Sequence, residues 1–323
     1  MTTPPDSASA TDAPVAAQSL SAPVELSGVS RWYGNVVAVN DVSFSLEPGV
    51  TGLLGPNGAG KSTLLHLIAG LLAPSAGSVS IGGRPAFADP QVYRDIGLVP
   101  ERESVYPFLT GREFVEANAK LQGLSDPAAA ARRAIAEVDL TESQDRALAG
   151  YSKGMRQRAK VAAAFVHDPK ILLLDEPFNG MDPRQRLHTM GFLRRLAEDG
   201  RTILFSSHIL EEVERVADRV LVVIAGRLAA SGDFRAIRRL MTDRPHTFTV
   251  RSSNDRRLAA QLLVEPFVTG VTLDDGLLVA RAADYGAFSR SVATRAREAD
   301  VTLYEVLPTD ESLESVFSYL VAS

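Results

Sequence analysis

The chain contains no cysteine. Disulfides, Cys-ligated zinc, iron–sulfur clusters and thiol catalysis are therefore excluded. It also lacks any apolar run approaching the roughly 18 residues needed to cross a bilayer. The strongest runs, Leu64 to Leu72 and Val220 to Ala225, are short and are expected in the core. No basic leader followed by an apolar segment opens the sequence, so no secretory signal is expected. Any membrane role must then come through a partner. Positive charge is not in excess either. Lys and Arg number 34 against 39 Asp and Glu, a net charge of −5. That argues against a general nucleic-acid binder, which needs a basic surface. Residues 1–23 are Ala, Ser, Thr and Pro with almost no large apolar side chain. Such a segment cannot bury enough surface to offset its ordering entropy. It reads as a disordered tail, with a short partner-binding segment as the alternative.

What is present is an ordinary globular composition, 45% hydrophobic and 23% charged over 323 residues. That length favours two domains. The strongest local pattern follows the apolar run Val50 to Leu54. It reads Gly55-Pro56-Asn57-Gly58-Ala59-Gly60-Lys61-Ser62-Thr63, a match to G-x-x-x-x-G-K-[ST]. Apolar residues then recur at Leu64, Leu65, Ile68, Leu71 and Leu72, which is helical spacing. A strand, a glycine loop and a helix in this order cradle phosphate with backbone N–H groups and the helix dipole. Lys61 would reach the β- and γ-phosphates, and the Ser62 hydroxyl would ligate Mg²⁺. The alternative is a glycine-rich turn that merely precedes a lysine.

Four further segments carry polar residues where packing does not ask for them. Ile171 to Leu174 reads as a strand buried on both faces, yet it runs into Asp175 and Glu176. Beside a phosphate loop, Asp175 is placed as a Mg²⁺ ligand and Glu176 as a group that orients or deprotonates water. Thr202 to Ser207 is a second buried strand and ends at His208. Of the five histidines, only His208 lies at the strand end where such sheets bind ligands. Ser152 precedes an apolar helix and is a plausible N-cap; the N–H groups behind it form a weak second anion site. Trp32 and Tyr33 are expected in a turn between strands, either to stack on a base or to anchor the strand end. Between Thr110 and Ala149 the pattern is helical, an insertion into an α/β chain. Beyond residue 243 the order is β-α-β-β-α-β, with a turn at Asp274-Asp275-Gly276 and a closing helix from Glu311 to Leu320. That order predicts a small α+β domain of the ferredoxin-like kind, without a site of its own.

Together these segments resemble the ATP-binding subunits of ABC transporters, over about Val24 to Leu240. The resemblance implies an α/β P-loop NTPase domain at 24–242, with a helical subdomain at about 87–168, and a C-terminal domain at 243–323. It makes Tyr33 the aromatic that stacks on adenine and Gly55 to Thr63 the phosphate loop, with Thr63 near the α-phosphate. Ser152 and Gly154 become the signature loop that touches a partner's ATP. Asp175 becomes the Mg²⁺-side acid, Glu176 the general base, Gly180-Met181-Asp182 the dimer-contact loop and His208 the γ-phosphate switch. Two departures stand out. The usual Leu-Ser-Gly-Gly-Gln reads Tyr151-Ser152-Lys153-Gly154-Met155, and Glu101 stands where Gln is usual. Glu101 can still ligate Mg²⁺ but adds negative charge. Both resemble the drug and antibiotic exporter branch. The resemblance implies ATP and Mg²⁺, a second ATP-binding subunit, separate membrane permease subunits and a place at the cytoplasmic face of the membrane. A soluble ABC ATPase of DNA repair or translation is the alternative, but the long coiled-coil or zinc insertions, or the tandem cassettes, are not here. A P-loop kinase would lack the Ser152 region.

Overall fold

The computed structural model describes residues 23–102, 104–233, 236–237, 245–274, 277–309, 313 and 317. The expected tail, apart from Pro23, lies outside these residues. So do Asp275-Gly276 of the expected turn and most of the expected helix from Glu311 to Leu320.

The elements run β1 (Val24–Tyr33), β2 (Val36–Leu46), β3 (Gly49–Leu54), α1 (Lys61–Ile68), β4 (Ala76–Ile81), β5 (Arg84–Pro85) and β6 (Ile96–Val99). Three helices follow, α2 (Gly111–Leu121), α3 (Pro127–Glu137) and α4 (Lys153–Phe165). Then come β7 (Ile171–Asp175), α5 (Pro183–Glu198), β8 (Thr202–Ser206), α6 (Leu210–Val216), β9 (Arg219–Ile224) and β10 (Arg227–Gly232). The central sheet has the order β10-β9-β3-β8-β7-β6. All its pairings are parallel except the β9–β10 hairpin. A second, antiparallel sheet has the order β2-β1-β4-β5.

The continuous apolar runs explain the central sheet. Leu53, Leu173, Leu204, Leu221 and Val223 point to one face and pack with α1 and the antiparallel sheet. Leu172, Leu174, Ile203, Phe205 and Val222 point to the other face and pack with α2 to α5. A sheet covered on both sides needs no polar alternation. The helices begin at strong caps. Thr110 and Glu113 form a capping box, Asp126 caps α3 ahead of Pro127, and Asp182 caps α5 ahead of Pro183.

Three sequence expectations are corrected. Helix α1 stops at Ile68 rather than Leu72, because Gly70 turns left-handed at φ 69° and leaves Leu71 exposed. Trp32 and Tyr33 belong to β1, not to a turn; Tyr33 pairs with Val36, and shifts of register along β1 absorb the extra length. Strand β6, a short buried strand as its apolar run ahead of Pro100 suggests, belongs to the edge of the central sheet rather than to the helical subdomain of about 87–168, since it pairs with Ile171 to Leu174.

The C-terminal part comprises β11 (His246–Ser252), a helix Asp255–Leu262, β12 (Val268–Asp274), β13 (Leu277–Ala282), a helix Tyr285–Glu298 and β14 (Leu303–Pro308). The sheet order is β12-β13-β11-β14 with every pair antiparallel. Phe248, Val250, Leu258, Leu262 and Phe288 fill its own core. The chain then returns to the first domain. Leu313 is fully buried within the helix-side core there, and its N–H donates to Glu214 Oε1 at 3.0 Å.

Gly97 sets how closely α4 approaches the sheet. A Cβ at Gly97 would lie 2.1 Å from the Ala164 carbonyl oxygen, which is backbone and cannot rotate away. Gly97→Ala is therefore expected to lower stability by about 1–3 kcal/mol, read as a lower denaturant midpoint at unchanged slope.

Candidate active site

The parallel strands β3, β7 and β8 deliver their C-terminal ends to one edge of the sheet, the edge where open α/β sheets bind ligands. The loop after β3 is wound by glycine. Gly60 has φ 103°, and a Cβ there would meet the Ala38 carbonyl oxygen at 2.3 Å. Helix α1 starts at Gly60 with no side-chain cap, so its first N–H groups face the cleft uncapped. Lys61 is buried, and its ammonium donates to the Gly55 carbonyl at 2.8 Å and the Pro56 carbonyl at 3.2 Å. An ammonium held this way across its own loop can exchange a carbonyl for a phosphate oxygen. The turn between β9 and β10 braces the loop, with the Gly226 N–H donating to Ala59 at 3.1 Å.

Asp175 is the last residue of β7, and Glu176 follows with a left-handed backbone, φ 49°. Side chains tolerate that conformation poorly, so something must hold it. The hold comes from the neighbouring strand. Ser206 Oγ donates to Asp175 Oδ1 at 2.5 Å and accepts the Glu176 N–H at 3.0 Å. Gln157 of α4 adds a bond to the Glu176 carbonyl at 3.3 Å. The Glu176 carboxylate, 8% exposed, lies 2.9 Å from His208 Nδ1. Burial raises its pKa above the ordinary carboxylate range, and the His208 hydrogen bond, His208 charge and Lys61 only partly offset this.

A cavity of about 390 Å³ joins these parts. Asn57, Gly58, Gly60, Lys61, Ser62, Thr63, Glu101, Asp175 and Glu176 line it, with Val36 to Ala38 at one side. The structure thus brings together the phosphate loop, both carboxylates and Glu101. Tyr33 is not among the lining residues. It stands half-exposed on the strand facing Val36, with the Arg31 guanidinium 4.8 Å from its ring centre. His208 reaches the cavity only through Glu176. Ser152 and Gly154 lie apart from it. The Ser152 hydroxyl is used as the cap of α4, accepting from the Met155 N–H at 3.2 Å. Gly154 packs on the 180–182 loop, where a Cβ would come within 2.7 Å of the Gly180 carbonyl oxygen. The signature segment and that loop therefore form one surface.

Two contributors escaped the sequence reading. Ser206 ties the two carboxylate residues to β8. Lys160 is buried in α4 and donates to the carbonyls of Pro100 at 2.7 Å and Arg102 at 3.0 Å, which fixes the segment bearing Glu101. Only the second had a signal, a cation within the apolar run of a helix.

Because the Glu176 pKa is raised on folding, the folded state holds this proton more tightly than the unfolded chain does. Stability from this group is full below the ordinary carboxylate pKa and is lost as pH rises through the raised value. Glu176→Gln is expected to be more thermostable than wild type at neutral pH, and the difference should shrink as pH falls toward 4, about the unperturbed glutamate pKa. Melting curves across pH check this.

A family model described as ABC transporter matches residues 39–179. The bacitracin transport ATP-binding protein BcrA of Enterococcus faecalis is 32% identical over 305 residues, covering 92% of this chain and 96% of that protein. The daunorubicin/doxorubicin resistance ATP-binding protein DrrA of Streptomyces peucetius is 35% identical over 268 residues, 78% of this chain and 81% of its own length. Among solved structures, an ATP binding subunit of an ABC transporter superposes with a TM-score of 0.62 at 33% identity, over 67% of this chain and 92% of the other. The cassette MJ0796, in a dimeric post-hydrolysis state with ADP and Pi, does so with a TM-score of 0.61 at 25% identity, over 65% of this chain and 98% of that one. With the phosphate loop, two strand-end carboxylates and a histidine on one sheet edge, the chain belongs to the ATP-binding proteins of ABC transporters and is an ATPase.

Proposed function

We propose that this chain powers export of a drug-, antibiotic- or lipid-like substrate through separate membrane permease subunits, working as a dimer that closes on ATP. The observation that carries the dimer is the separation of two half-sites within one chain. The phosphate loop, Asp175 and Glu176 line the cavity, whereas Ser152 and Gly154 do not. A second copy or a homologous subunit completes the site, with its Ser152, Lys153 and Gly154 against the nucleotide and its 180–182 loop alongside. MJ0796, a relative of known structure, is dimeric. Export follows from likeness to BcrA, DrrA and the linearmycin resistance protein LnrL of Bacillus subtilis. Nothing favours the DNA-repair or translation alternative. Among the described residues no helix is long and apolar enough to cross a membrane. A groove of about 250 Å³ lined by Pro100, Tyr106, Leu109, Phe114 and Leu121 beside the helical insertion is the docking surface for them. That contact would hold the chain at the cytoplasmic face of the membrane.

The roles assigned in the cleft follow from charge and position. Gly55 to Thr63 wrap the phosphates, with Lys61 on the β- and γ-phosphates. Tyr33 offers its ring to the adenine beside Val36 and Val37. Glu176 accepts the proton of the attacking water, and His208 orients it and meets the γ-phosphate. Ser62, Asp175 and Glu101 fit a Mg²⁺ ion. The lining of the cavity has three carboxylates and one ammonium, a deficit of positive charge, and hydroxyl and carboxylate oxygens suit this hard cation. Among the described residues no cluster of three or more acidic, His or Cys groups would hold a metal alone, which agrees with an ion bound largely through substrate phosphates. When bound, Mg²⁺ would neutralise charge on the phosphates. Catalysis is positioning and charge neutralisation, as in phosphoryl transfer generally. The C-terminal domain, a four-stranded antiparallel sheet ordered β12-β13-β11-β14 with two helices, is of the ferredoxin-like kind.

Glu176→Gln tests the assignment. It is expected to bind ATP, lose turnover by roughly 100-fold or more, and run as a dimer in gel filtration with ATP. Wild-type turnover in this variant would remove the assignment.

A further inference from the structure

Outside the cleft, one buried acidic group has no part in the mechanism above. Glu212 of α6 is only 4% exposed. Its Oε2 accepts from the Ser207 hydroxyl at 2.7 Å, and its Oε1 lies 3.4 Å from Arg186 Nε on α5. Ser207 is fully buried, and its Oγ also accepts the Ile209 N–H at 3.0 Å. The Ser207 N–H donates to the carbonyl of Leu53 in β3 at 3.3 Å. The Ser207 hydroxyl thus spans His208, the residue between it and Ile209. The Glu212 N–H closes the same turn on the Ile209 carbonyl at 3.2 Å. On its other side, Arg186 sits one turn into the helix that starts at the Asp182 cap.

A buried carboxylate is unfavourable unless it is paired, and an apolar pair would serve a purely structural contact as well or better. The pairing here is uneven. The bond to Ser207 is short, while Arg186 Nε has no hydrogen-bond partner of good geometry and only a charge contact to Glu212. Such a contact is firm on the His208 side and adjustable on the α5 side. A cavity of about 350 Å³ lined by Arg186, Leu187, Met190 and Glu212 lies against it, so α5 and α6 are not packed solid here.

We propose that Glu212 is a positioning residue for the switch histidine. Through Ser207 it holds the turn that aims His208 at Glu176, and through Arg186 it ties that turn to the helix beginning at Asp182. The inference rests on the reading of His208 and Glu176 as parts of the hydrolytic site. It gives each chain an internal link between its dimer-contact loop and its own histidine.

The test uses the full chain with MgATP and the variants Glu212→Gln, Ser207→Ala and His208→Ala. Glu212→Gln and Ser207→Ala are expected to lower kcat roughly tenfold while KM stays within about twofold. With ¹³C-labelled histidine, the imidazole signal absent from His208→Ala is expected to shift in both variants, with the other four histidines unmoved. Should Glu212→Gln fail to fold, Ser207→Ala decides, since it leaves the Glu212–Arg186 pair in place. Wild-type kcat in these variants, with His208→Ala inactive, overturns the inference alone, as does an unmoved His208 signal. Wild-type turnover in His208→Ala overturns the active-site reading and the inference with it.

Discussion

Glu176 carries a charge in a buried place and a side chain on a left-handed backbone, and both conditions oppose folding. They are offset by bonds from three different elements. Ser206 on β8 holds the backbone N–H, Gln157 on α4 holds the carbonyl, and His208 meets the carboxylate. None of these partners is within 18 residues along the chain. The register of β7 on β8, Asp175 opposite Ser206, is what makes the arrangement possible. A shift of one residue would turn Ser206 into the core and leave the Glu176 N–H without its partner.

The same register explains why the central sheet is covered on both faces. Strands whose polar residues occur only at their C-terminal ends can bury everything before them. The phosphate loop, Asp175, Glu176 and His208 then gather on one edge, and their fields overlap. The uncapped first turn of α1 and Lys61 supply positive potential to a cleft otherwise lined by carboxylates. With three carboxylates against one ammonium in its lining, the cleft favours polyphosphate only when further positive charge is added.

The helix α6 links three regions in seven residues. Glu212 faces the turn at His208, Glu211 pairs with Arg215 on the surface, and Glu214 accepts from the N–H of Leu313. Leu313 is therefore anchored to the helix that follows the histidine. Loss of apolar contact at Leu313, which is buried in the first domain's core, would loosen that anchor.

Local chemistry was legible in the sequence where short-range rules govern. Glycine spacing around Lys61, the carboxylates ending an apolar run, and the cap at Ser152 are statements about neighbours within a few residues. Apolar spacing continues past Gly70, but the left-handed backbone there ends helix α1 at Ile68. The place of Tyr33 in β1 has no local signature, because the bulges in β1 are set by its partner β2. Ser206 and Glu212 take their roles from a group 30 or more residues away and from a turn faced across a helix, so composition and periodicity carry no trace of them, while Lys160 shows only as a cation in an apolar helix, without its partners. The sequence by itself determined that phosphate is held and that acids stand beside it. Only the tertiary structure decided how Glu176 is kept in place and that Ser152 and Gly154 lie apart from the cavity lined by the phosphate loop, Asp175 and Glu176, because both depend on strand register and helix packing across long stretches of chain.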